Sequence, residues 1–277
     1  MQYIQSQLIE FKKLIEEAIV ANGVKGKNSI IRTSRLINLV HDAVKEQLIR
    51  NGVNPELIYP KLNASSPELK ISGFLKQKDQ DICVIPKNIE KSPEIIHWGP
   101  LAYESKEDPY GYEFSKNTLI INVRSQLSSL AKNADTLFER TFAEALNLHM
   151  RYPEVVLGEV YLIPCYEYDD ELAKTNTVGF KENPTNVEKY ISFFSAINNR
   201  TIKNKNDRNE HEYERVSLLI VDFKKDIPKV YETTEELIKD NLVSKNFKLD
   251  YEKLNFKNFS KDILSIYADR HDLNNLK

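Results

Sequence analysis

The chain holds 277 residues but only two cysteines, eight glycines, one tryptophan and two methionines. Two cysteines rule out a disulfide-built scaffold. Cys83 and Cys165 sit in or beside apolar runs, which reads as two reduced core residues and predicts a cytoplasmic setting. No apolar run approaches the roughly 20 residues that span a bilayer. The amino-terminal stretch MQYIQSQLIEFKKLIEE is too charged for a secretory signal, so no membrane partner is expected. There is no excess of either charge: 39 basic against 41 acidic residues give a net charge of −2. An even balance neither favours nor excludes nucleic acid, so local charge must carry that argument. Also missing are GxxxxGK[ST] and GxGxxG loops, which argues against a nucleotide cofactor, and a GxSxG nucleophile elbow. The five histidines lie apart, without HExxH or CxxC partners, which removes the usual zinc arrangements.

The chain does have a 41% apolar share, enough for a large core, and clear periodicities. Ile4, Leu8, Phe11, Ile15 and Ile19 mark one face of a helix over 2–22, ended by Gly23 and Gly26. A second helix is expected from Ser29 to Asn51, with Leu36, Val40, Val44 and Leu48 on its stripe. Strands follow at 68–75 and 81–85, separated by the polar KQKDQ, and then an irregular stretch over 86–117. The segment TLIINVRSQ predicts a strand over 118–123, running directly into an amphipathic helix from about Ser125 to His149. A strand over 155–163, a helix over 186–197, a strand over 216–221 and a short strand over 229–231 come next. Helices over 234–241 and 260–269 close the chain. An early strand meander followed by helical crossovers predicts an α/β fold with a mixed central sheet flanked by helices. We expect one domain over 1–277 with its core at about 30–223, and the 2–22 helix and the 234–277 helical segment as appendages.

Two strand ends carry the chemistry. Asp81 opens the apolar run DICVIP, at the mouth of a buried strand, where a metal ion can be reached. Asn122 and Arg124 end the neighbouring strand two residues apart, so both point to one side of it. This order of elements, with an acid on one strand and a polar-x-cation triplet on the next, resembles the PD-(D/E)xK nuclease group, which includes most type II restriction endonucleases. The resemblance covers about residues 30–223. It implies an αβββαβ core, Mg²⁺-dependent hydrolysis of double-stranded DNA at a specific site, and a homodimer. It also implies a metal held by Asp81, with help from Glu46 on the first core helix. Arg124 would grip the scissile phosphate, and Gln126 and Ser125 would meet a phosphate at the start of the long helix. The triplet departs from the group's E-x-K, since Asn122 lacks a charge and Arg124 cannot act as a base. A literal E-x-K occurs as Glu104-Ser105-Lys106, in surroundings that read as loop, and is the alternative catalytic pair.

Three basic groupings are candidate DNA contacts. The loop NNRTIKNKNDR carries Arg200, Lys203, Lys205 and Arg208 among asparagines, a composition suited to phosphates and base edges. Arg32 and Arg35 flank the start of the second helix, and Lys76 and Lys78 precede Asp81. Two other classes of function compete. One is a non-catalytic DNA-binding or interaction protein with a decayed nuclease site, motivated by Asn122 and Arg124. The other is an unrelated hydrolase built on the acidic turn Glu167–Glu171.

Overall fold

A strand that is apolar along its whole length has no polar side to give to water, so it needs cover on both faces. The structure, a computed structural model that describes residues 2–202 and 209–277, supplies that cover with helices. The chain begins with α1 (Gln2–Ile31), α2 (Ser34–Arg50) and a two-residue strand β1 (Ile58–Tyr59). Strands β2 (Leu69–Ser72), β3 (Gln77–Gln80) and β4 (Ile82–Val84) follow in quick succession. The proline-rich segment after them holds β5 (Glu94–Ile95), α3 (Pro100–Tyr103), β6 (Glu107–Asp108) and α4 (Tyr112–Lys116). Then come β7 (Leu119–Ser125), α5 (Leu130–His149), β8 (Val156–Pro164), α6 (Asp170–Ala173) and α7 (Val187–Ala196). The chain ends with β9 (Arg215–Asp222), β10 (Lys229–Val230), α8 (Thr234–Lys239) and α9 (Phe259–Arg270).

The fold is α/β, built on a mixed sheet of order β1-β4-β7-β8-β9-β10. β7, β8 and β9 run parallel, while β1, β4 and β10 pair antiparallel with their neighbours. All residues of β8 and β9 are buried, as their composition requires. The period-two alternation sorts side chains between two cores. Ile82, Ile121, Val123, Val156 and Val160 meet α1, α2 and α9 on one face. Cys83, Ile120, Leu157 and Tyr161 meet α5 and α7 on the other. At Gly158 a Cβ would stand 2.6 Å from Ile263 Cδ1 and 2.9 Å from Phe259 Cζ, so the bare backbone lets α9 lie directly on β8. Both cysteines are buried and free. Among the described residues no helix is long and apolar enough to cross a membrane.

Several boundaries differ from the sequence expectation. α1 continues past Gly26, with its only break at Asn22 and Gly23, whose φ of 57° suits glycine. The next helix starts at Ser34, behind Thr33, instead of at Ser29. The polar stretch expected as a turn between two strands is itself strand β3, paired antiparallel with β2 in a separate two-stranded sheet. Exposed Lys70 and Asp79 face each other in that pair, so polarity there marks a solvated ribbon. β7 extends to Ser125, and α5 begins only at Leu130, after Ser129 turns the chain at φ 53°.

Candidate active site

Strand register brings the site together. Ile82 pairs with Ile121 across the antiparallel β4–β7 seam, and Asn122 pairs with Glu159 across the parallel β7–β8 seam. Asp81, one residue before β4, therefore falls beside Asn122, and its Oδ2 accepts a 2.8 Å hydrogen bond from the Val123 amide. Asp81, Asn122 and Glu159 thus form a row across three adjacent strands. Asn122 and Glu159 alternate with the apolar residues facing α1, so they point toward α5. Both are fully buried, and among the described residues no hydrogen-bond partner meets the side-chain oxygens of either. Unmet buried polar atoms are uncommon and costly, so this pair calls for an explanation.

Two cations border the row. Arg124, two residues beyond Asn122, donates through Nη1 to Thr141 Oγ1 at 2.7 Å and through Nη2 to the Glu144 carboxylate. Its Nε lies 3.6 Å from Glu159 Oε1. Lys78 of β3 reaches Glu144 Oε1 at 2.6 Å. Thr141, Glu144 and Asn147 recur every third residue along α5, so one stripe of that helix serves the site. Asn147 fixes the β2–β3 hairpin: its Oδ1 accepts from the Leu75 and Lys76 amides at 2.7 and 3.2 Å, which holds Lys78 in range.

Burial shapes the ionisation here. It raises the pKa of Glu159 to about 7, with Asp81 adding to the rise and Arg124 and Lys78 opposing it. Lys78 shifts down, chiefly through burial and further through Arg124, while Asp81, Glu159 and Glu68 resist the change. His41 of α2 also shifts down through burial, against the pull of Asp81, and its Nε2 is buried without a partner among the described residues.

The residues expected from the sequence divide. Asp81, Asn122, Arg124 and Lys78 converge. Glu46 does not join them: it pairs with Arg50 at 2.8 Å and lies beside Tyr3, Gln47 and Phe256, while His41 is the α2 residue near Asp81. Gln126 is buried and holds the fold, donating to Leu130 O at 3.1 Å and accepting from Tyr161 and Tyr190 hydroxyls at 3.2 and 2.8 Å. Glu104 and Lys106 are exposed and pair with each other at 3.7 Å, outside the central sheet. Arg200 is buried: it donates to Pro153 O and Glu214 Oε1, each at 2.9 Å, which removes it from any groove-facing loop. Lys203, Lys205 and Arg208 lie outside the described residues. Lys76, Arg32 and Arg35 are exposed. The acidic turn is committed to structure, with Glu167 accepting from Ser129 N, Asp169 capping α6 and Asp170 paired with Lys27.

Glu159 and His41 escaped the sequence reading. Glu159 did leave a trace, because it is the one charged residue in the buried run VLGEVYLIP. His41 left none beyond its place on the buried helix stripe.

The donor set fits a hard divalent cation. Magnesium takes oxygen ligands, keeps several waters and needs only one or two carboxylates from the protein. Asp81 and Glu159 supply two, and the Asn122 amide oxygen is a third, neutral donor. Among the described residues no group of three or more His, Cys, Asp or Glu side chains is arranged to hold a metal. No family model, no curated protein and no solved structure compared with the chain matches it.

Proposed function

We propose that the chain is a site-specific endonuclease that hydrolyses phosphodiester bonds of double-stranded DNA, with Mg²⁺ held by Asp81 and Glu159. The observation that carries this reading is the buried carboxylate of Glu159, which accepts no hydrogen bond among the described residues, in one row with Asp81 and bordered by Arg124 and Lys78. A divalent ion in that place would lower the pKa of a water and offset charge on the phosphate. Asp81 is oriented for the role, since one oxygen is tied to the Val123 amide and the other can serve as a ligand. Arg124 carries the fork-shaped guanidinium that binds two oxygens of a phosphate. It cannot give up its proton, and Lys78, paired with Glu144 at 2.6 Å, stands beside it as a second cation for the phosphate. Glu159 takes the place of the acid that Asn122 lacks, one strand over. The resemblance to restriction endonucleases extends the reading to a homodimer acting on a symmetric sequence.

The test is incubation of purified protein with plasmid and phage DNA, with and without Mg²⁺. Discrete fragments that require the metal, and that vanish in Asp81→Ala and Glu159→Gln, are expected. Intact DNA across many substrates contradicts the reading.

One observation favours a second reading, a DNA-binding protein without catalysis. Asn122 stands where the second acid is expected, and Arg124 is already engaged by Thr141 and Glu144. Salt-dependent DNA binding with no cleavage in Mg²⁺ identifies that case.

A further inference from the structure

Glu144 has no part in the chemistry above, yet it holds both cations. One oxygen takes the Lys78 ammonium at 2.6 Å and the other takes the Arg124 guanidinium. A carboxylate whose two oxygens bridge an Arg and a Lys occupies the place that two oxygens of a phosphodiester would take. We propose that the Lys78–Arg124 pair is a binding site for one phosphodiester group, held closed in the free protein by the Glu144 carboxylate. The proposal rests on the nuclease reading for the identity of its ligand.

Charge and reach support it. With all groups ionised, Asp81, Glu68, Glu144 and Glu159 outnumber Lys78 and Arg124 by two, so an arriving phosphate meets a net negative site. Removing Glu144 from the balance halves that excess, before any metal adds positive charge. The side chains of Lys78, Arg124 and Glu144 are 28%, 17% and 19% exposed, so water and a competing anion reach the bridge. Both cations keep a support of their own when the carboxylate leaves, because Thr141 accepts from Arg124 and Asn147 anchors the hairpin carrying Lys78. The three groups come from β3, β7 and α5, so the bridge also ties the hairpin to the helix across the sheet face. Phosphate arrival and Glu144 departure are then one exchange, which ties opening of the site to its ligand.

Two probes separate this proposal from the reading beneath it. Glu144→Gln is compared with the wild type for thermal stabilisation by inorganic phosphate, and for anisotropy of a labelled DNA duplex at low and moderate salt. Glu144→Ala repeats both, because a Gln amide oxygen still accepts from one cation. The closed-site account expects a larger phosphate-induced rise in melting temperature for both variants, and roughly tenfold tighter duplex binding with a salt slope steeper by about one ion. Lys78→Ala in the Glu144→Gln background must abolish the gain. Equal or weaker phosphate stabilisation in both variants overturns the proposal, even if the wild type binds DNA. A gain with phosphate but no duplex binding by any protein upholds the anion site and overturns the DNA reading. Circular dichroism of each variant confirms that the proteins compared are folded.

Discussion

Replacing Glu159 by Gln removes a fully buried carboxyl whose pKa stands at about 7, against an ordinary value of 4.5. At 1.36 kcal/mol per pH unit, that gap amounts to roughly 3 kcal/mol. The sign follows from which state holds the proton. Below pH 4.5 the acid is protonated in both folded and unfolded chains, and the stability tied to the neutral form is fully present. Between 4.5 and 7 the unfolded chain ionises while the folded one keeps its proton, so stability drains away as pH rises. Above 7 the loss is complete. Urea unfolding of wild type and Glu159→Gln, followed by far-ultraviolet circular dichroism from pH 4.5 to 8, isolates this group, because every other titration is common to both. The wild-type stability minus that of the variant should fall by roughly 3 kcal/mol across the window. Saturating Mg²⁺ should flatten the fall, since a bound cation favours the ionised carboxylate. Parallel pH profiles would show that Glu159 titrates normally, and would remove the electrostatic basis of the site.

Further outcomes follow from other buried groups. Burial would raise the pKa of Glu214, but His149, Arg270 and Arg200 outweigh it and bring the carboxyl to about 2. Glu214→Gln should therefore cost about 3–5 kcal/mol at neutral pH. Wild-type stability from this group should be lost only as acid titration descends from 4.5 toward 2, and urea melts of both proteins from neutral pH down through that range check both statements. Asn147→Ala should cost about 1–3 kcal/mol, by stranding the amides of the hairpin tip. Hydrogen exchange at Leu75 and Lys76 should speed up, and DNA cleavage should weaken as Lys78 loses its support. Unchanged exchange there would detach Asn147 from the site.

Much of the fold could be read from the chain because its central strands are apolar at nearly every position. LIINV, VLGEVYLI and VSLLIV leave no alternative to a covered sheet, and the 3.6-residue spacing of α5 and α7 stands beside them. The β2–β3 ribbon was harder, since Gln77–Gln80 have the composition of a turn and acquire strand geometry only from pairing with Leu69–Ser72. Asp81 was legible as an acid at a strand mouth. Its partner was not, because Glu159 becomes a neighbour only through the register of an intervening strand. Arg200 misled for the reverse reason. A basic, asparagine-rich loop looks solvated until Glu214 is found buried beneath it. Glu144 lies 66 residues from Lys78 in the chain, and only the hairpin folding over α5 brings the two together.

The central claim is that Asp81 and Glu159 together hold a divalent ion. Crystals grown with Mn²⁺ and measured at the manganese absorption edge test it directly. The account predicts one strong anomalous peak within about 2.5 Å of carboxylate oxygens from both residues. A map with no peak between them, or with manganese bound only elsewhere on the protein, would contradict it.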